Sequence, residues 1–207
     1  VELLGDFCFK NCQNLKKIKL ETNSNLIKIG AECFMETAIT TISLPRKIQH
    51  FDFSGTLLKK ITFAPNSEIE QIDSRAFFET QIEEISLPSS VTEIRSYAFS
   101  NCKKLKTIKM DNSQLRKIES FAFYDCESLT TFDLPSTINF FGKSCFQHCS
   151  KLALAPELTE MDTITVESRS FCNSGILFFK SNCNHLFVGT DSFNNCAQLT
   201  SVSLSVK

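Results

Sequence analysis

Val91-Thr92-Glu93-Ile94-Arg95-Ser96-Tyr97-Ala98-Phe99-Ser100-Asn101-Cys102-Lys103-Lys104-Leu105-Lys106-Thr107-Ile108-Lys109-Met110 decides the fold, because the chain repeats its skeleton from end to end. The next copy places Leu115, Ile118, Ala122-Phe123, Cys126, Leu129, Phe132 and Leu134 at the same offsets. Weaker copies surround Phe9, Phe34, Phe53, Phe77, Phe146, Phe171 and Phe193. Successive anchor phenylalanines lie 25, 19, 24, 22, 24, 23, 25 and 22 residues apart.

A period of this length with Leu and Ile at fixed offsets specifies a leucine-rich-repeat solenoid. The expected architecture is right-handed, with about nine turns of 19–25 residues. It carries a continuous parallel sheet on one side and short strands or turns on the back. The unbroken register makes residues 1–207 a single elongated domain, in which each turn buries its apolar residues against its neighbours. Nine turns at the spacing of strands, ~4.8 Å, give a rod of roughly 40 Å. Leu105-x-x-Ile108-x-Met110 ends with the two-residue alternation of a strand. Its equivalents are residues 15–20, 39–44, 58–63, 82–87, 129–134 and 199–204. Pro45, Pro88 and Pro135 follow the last strand residue directly, and a residue without an amide proton ends a ladder there. Corners rich in Ser and Asn follow, such as Ser89-Ser90 and Asn112-Ser113. Residues 152–188 fray, and Phe178-Phe179 is expected to be exposed there.

The Phe-x-x-Cys corner reads as one tight helical turn that brings Phe and Cys inward together. It has two lengths. With Cys the next apolar residue comes three places later, as in Phe9, Cys12, Leu15; with Thr it comes one residue sooner, as in Phe53, Thr56, Leu58. A Thr hydroxyl bonded to a nearby backbone group accounts for the tighter version. Ala76, Ala98 and Ala122 mark a second slot, where Cys8, Cys33 and Cys145 stand in for alanine as small apolar residues.

Ten cysteines invite a disulfide or metal reading. Eight of them occupy the two repeat slots and are expected to be buried free thiols. Cys172 and Cys183 fall outside both slots and are the candidate disulfide. Cys145-x-x-His148-Cys149 imitates a zinc spacing, yet the register turns both cysteines into the core. With three His, six Gly and scattered carboxylates, no catalytic constellation or phosphate loop is visible, so no enzyme activity, cofactor or metal is expected. The net charge of −1 provides no field to attract nucleic acid. No run reaches the roughly 18 apolar residues of a membrane span, and no signal peptide is visible. Val1 is already in register and neither end carries an atypical cap, so the chain reads as an excerpt of a longer protein.

The side chains that alternate outward on the strands form the candidate ligand face: Lys17, Lys19, Lys60, Thr62, Glu84, Ser86, Lys109 and Asp133. Lys16, Lys59 and Lys106 are expected to align beside them as a mildly basic strip. The rows contain no aromatic anchor of the kind that dominates protein interfaces.

The phrase Leu-x-x-Ile-x-Leu-Pro-x-x-Leu-x-x-Ile-x-x-x-Ala-Phe-x-x-Cys resembles the BspA-like subclass of leucine-rich repeats. Leu87-Pro88, Val91, Ile94, Ala98-Phe99 and Cys102 carry the resemblance, as do Leu134-Pro135, Ile138, Cys145-Phe146 and Cys149. It covers essentially the whole chain. Such proteins occur on the surfaces of oral bacteria and in mucosal protists such as trichomonads and entamoebae. The resemblance implies a non-catalytic interaction scaffold at the cell surface, adhering to a protein or glycan through the exposed sheet. The alternative is a cytoplasmic repeat scaffold for protein–protein interaction, favoured by free thiols and by the absence of any Asn-x-Ser/Thr sequon.

Overall fold

The computed structural model describes residues 1–110, 114–158 and 161–206, with nothing said of the Val206 side chain. The Asn112-Ser113 corner lies outside the described residues. The chain winds as a parallel-strand solenoid of about nine turns, and the described residues contain no helix. Most turns contribute to two strand stacks joined by the Phe-centred corner.

The stack expected to form one unbroken sheet is divided. Thr41–Leu44 pairs with Lys60–Phe63. Glu84–Ser86, Thr107–Lys109 and Thr131–Phe132 form a second ladder, and Glu157–Leu158, Phe178–Cys183 and Ser201–Val206 a third. The second and third ladders are separated at Leu154-Ala155-Pro156; proline has no amide to donate, and the segment meets the next turn through carbonyls, Leu154 accepting from Leu177 and Pro156 from Lys180. Residues 15–20 form no strand, although Leu15, Ile18 and Leu20 still pack on the core.

The longest continuous sheet lies on the other side, where short back strands were expected. Gln71–Ile72, Glu93–Ile94, Lys117–Ile118, Phe140–Phe141, Thr163–Val166 and His185–Val188 form six parallel strands in sequence order. Their inward residues Ile72, Ile94, Ile118, Phe141 and Val166 are all buried. The region that frays in sequence is also regular in space. Phe178–Cys183 is a six-residue strand, and Phe179 is fully buried rather than exposed; Phe178 is half-buried.

The nine anchor phenylalanines form one column. Neighbouring rings stack from Phe9–Phe34 to Phe171–Phe193, with centroids 4.9–6.3 Å apart and planes within 22° of each other. Phe51, Phe132, Phe141 and Phe179 meet this column from the side.

The corner around that column is not a simple helical turn. In eight turns the residue two before the anchor has positive φ: Phe7, Glu32, Arg75, Tyr97, Phe121, Ser144, Arg169 and Asp191. The residue two after it does so in all nine, from Asn11 to Asn195, with Gly55 the one glycine. A left-handed conformation costs a non-glycine residue roughly 1–2 kcal/mol. The hydrogen bonds account for it. The amides of Tyr97, Phe99 and Asn101 donate along the axis to Ser120, Ala122 and Tyr124 (3.2, 2.8 and 2.8 Å). Those of Ala98, Ser100 and Cys102 close local turns on Arg95, Tyr97 and Phe99 (3.1, 3.1 and 3.0 Å). Alternating hands thus satisfies every amide of a buried corner, where each orphan would cost more than the strain.

The slot three places after the anchor completes this frame. Thr37 and Thr56 donate their hydroxyls to the carbonyls of Phe34 and Phe53 in their own turn, both at 2.7 Å. The cysteines instead reach one turn back: Cys102 to Phe77 (2.9 Å), Cys126 to Phe99 (3.1 Å), Cys149 to Phe123 (3.1 Å) and Cys196 to Phe171 (2.9 Å). At Thr37 and Thr56 the short corner thus uses the carbonyl of its own turn, whereas the Thr80 hydroxyl meets the Cys102 thiol at 3.3 Å.

Candidate ligand-binding face

Strand alternation turns Ile42, Ile61, Ile85 and Ile108 inward and leaves two exposed rows on the divided side. Register sets Thr41 beside Lys60 and Ser43 beside Thr62, then Glu84 beside Thr107 and Ser86 beside Lys109. Ser43 and Thr62 share a hydroxyl hydrogen bond of 2.8 Å. Lys60, Thr62, Glu84 and Ser86 line one shallow hollow of about 390 Å³, floored by Ile61 and Ile85 and closed at one end by Pro88. A second hollow, about 510 Å³, lies beside it and is lined by Lys19, Thr41, Ser43, Lys60 and Thr62. The expected residues Lys19, Lys60, Thr62, Glu84 and Ser86 are therefore brought together around two adjoining depressions.

Lys109 joins them through Glu84, 3.8 Å from its ammonium. Lys17 is exposed but lines neither hollow, and Asp133 sits beyond the last paired residue of Thr131–Phe132.

Of the basic strip Lys106 alone is ion-paired among the described residues; Lys16 and Lys59 are not. Lys106 donates to Glu83 at 2.9 Å, which holds that carboxyl below its usual range. Lys19 pairs with Glu21 at 2.8 Å, and that hydrogen bond raises its ammonium pKa. Among the described residues Lys60 has no ion-pair partner. The face is thus a mixed-charge, hydroxyl-rich surface on which Lys60, like Lys17 and Lys59 near it, carries no ion pair among the described residues.

The thiols do not form a reactive centre. Cys102, Cys126, Cys145 and Cys149 are fully buried, and burial pushes Cys102, Cys126 and Cys145 well above the usual thiol range; Cys33 is pushed up to about 11. Cys8 and Cys12 are exposed and Cys196 half-buried, contrary to their expected burial; all three lie in the first or last of the described turns. Cys172 and Cys183 are both free: the first sits in the corner next to Phe171, the second ends a strand and donates to the His185 carbonyl at 3.2 Å. His148 does not complete a site with Cys145 and Cys149. Its ring meets the edge of Tyr124 at 5.5 Å while the Cys149 thiol points to Phe123.

Sequence reasoning missed the outward aromatic residues of the six-stranded side. Phe187 is 61% exposed and Phe140 half-buried. The available signal was the buried-exposed alternation around Phe140-Phe141 and Leu186-Phe187.

Comparison with known proteins agrees with this geometry. A family model described as BspA type leucine-rich repeat region matches in six copies, over residues 1–106, 28–153 and 70–200. No curated protein sequence matches the chain. Among solved structures, the pneumococcal vaccine antigen PcpA shares the fold with a TM-score of 0.58 at 22% identity; the match covers 98% of this chain and 59% of that one. A leucine-rich repeat protein from Bacteroides ovatus gives a TM-score of 0.51 at 21% identity, covering 98% and 70%. The chain therefore spans 59% of the pneumococcal antigen's length.

Proposed function

The chain belongs to the BspA-type leucine-rich repeat family, and on that premise we propose that it is a non-catalytic adhesion scaffold at the cell surface. It engages a protein or glycan through the face around Lys60. The observation that carries this reading is the pair of adjoining hollows that gather Lys19, Lys60, Thr62, Glu84 and Ser86 on a rigid, stacked surface. Lys60 supplies an unpaired charge for a carboxylate or sulfate, and the hydroxyls supply charge-neutral hydrogen bonds. That a protein of the same fold is a vaccine antigen supports a surface setting.

A second reading, an intracellular interaction scaffold, is favoured by the ten free cysteines. Labelling intact cells with an impermeant reagent separates the two. Binding itself is tested with immobilised host extracellular matrix and a variant carrying Lys17→Glu, Lys60→Glu and Lys109→Glu. The expected result is at least about a tenfold loss of affinity that is mirrored by added salt in the wild type. Unchanged binding with an unchanged melting curve would rule this face out.

A further inference from the structure

The ladder register of the six-stranded sheet aligns one outward row across all six strands: Gln71, Glu93, Lys117, Phe140, Thr165 and Phe187. Two aromatic side chains stand in it, separated by Thr165. Strand spacing places them two strands, roughly 9.6 Å, apart. Neither ring stacks on another aromatic among the described residues. The contrast with the corner aromatics is informative. Tyr97 and Phe121 cover each other at 4.9 Å, and Phe121, Tyr124 and His148 continue the chain edge to face, so those rings form a closed spine. Phe140 and Phe187 are instead open to solvent-borne partners.

We propose that this row is a binding site for an uncharged, linear β-linked glycan lying along the solenoid axis, with alternate sugar rings stacked on Phe140 and Phe187. Three features choose this occupant. Charge is mixed and not of one sign: Thr165 lies between the two rings, with Thr163 and His185 as the next outward pair, while Lys117 flanks Phe140 and Lys143 and Glu167 line the hollow beside Phe187. A sulfated or carboxylated polymer meets both signs of charge there, whereas uncharged hydroxyl groups find donors and acceptors. Spacing is the second feature. A β-linked glycan presents the same face at every second sugar, an interval close to twice the strand spacing. An extended peptide presents same-side groups every ~6.7 Å and falls out of step. The third is rigidity: both rings project from paired strands, so their separation is set before a ligand arrives and little ordering entropy is lost. The site is distinct from the face around Lys60 and stands or falls separately from it.

The test is affinity electrophoresis or calorimetry of the intact chain with cello- and chito-oligosaccharides of increasing length. Binding should strengthen once the oligomer is long enough to span both rings. Phe140→Ala with Phe187→Ala should weaken it about tenfold or more while leaving the melting curve close to wild type, and Phe140→Trp with Phe187→Trp should retain it. Lys60→Glu with Lys109→Glu should leave it unchanged, which separates this site from the other face. Absence of binding to either series in the wild type, or binding that survives loss of both rings, would overturn the proposal.

Discussion

At the scale of single residues the anchor phenylalanine holds the fold together. Phe123 is fully buried between Phe99 and Phe146, with centroids 5.1 and 5.2 Å away, and Phe132 meets its edge at 5.4 Å. Its removal leaves a cavity in the middle of a column that the rigid corner hydrogen bonds keep from collapsing. Phe123→Ala should therefore cost about 3–5 kcal/mol by denaturant unfolding, the range for a buried aromatic truncated to alanine. A midpoint close to wild type would mean that the column is not core. The anchor was legible because one buried slot recurs at every turn, and only a large apolar ring fills it nine times. The left-handed corner residues were not. Asn11, Asn101, Asp125, Asn173 and Asn195 hint at positive φ two places after the anchor, but Glu32, Arg75, Tyr97 and Phe121 two places before it carry no such signal. Axial hydrogen bonds override side-chain preference at those positions.

At the scale of elements, the corner and the two strand stacks share one burial rule but differ in how far their ladders run. Alternation in Ile39–Leu44 or Ile82–Leu87 identified strands correctly, since each places one side in the core and the other in water. Which stack would pair without interruption was hidden, because pairing depends on where neighbouring turns change length, as at Pro156, and not on any one turn's pattern. The candidate face was read from the same alternation, and five of its eight residues converge on the two hollows. The charge pairing of Lys106 with Glu83 was not legible, since it depends on which long side chains meet across turns. The corner element also carries a pH dependence. Burial raises the thiol pKa of Cys102 and Cys126 in the corner slot and of Cys145 in the alanine slot. A group whose folded pKa is raised contributes stability below its unfolded pKa, about 8.5 for a thiol, and loses it as pH rises toward the folded value. The melting temperature should hold near pH 7 and fall progressively above about pH 8.5. Cys145→Ala, which places the residue of Ala98 and Ala122 in that slot, should make the fall shallower. A flat profile to about pH 10 in the wild type would show that the thiols are accessible or ionised in the fold.

At the scale of the whole molecule, stability is a sum over neighbouring turns, so the interior and the two ends should behave differently. Turns around Phe99 and Phe123 are covered on both sides. The terminal turns leave Leu3 and Phe7 exposed at one end, and Val202 and Leu204 at the other. The central claim is that the corners are axial ladders as continuous as the strands. Native-state hydrogen exchange resolved to single amides tests it most directly. The amides of Phe99, Asn101, Phe123 and Asp125 donate to the next turn at 2.8–3.0 Å. They should be as protected as those of Glu93–Ile94 and Lys117–Ile118, with the corresponding amides of Phe9 and Asn11 exchanging faster. Corner amides near Phe99 and Phe123 that exchange like exposed turns, while the strands stay protected, would contradict the account.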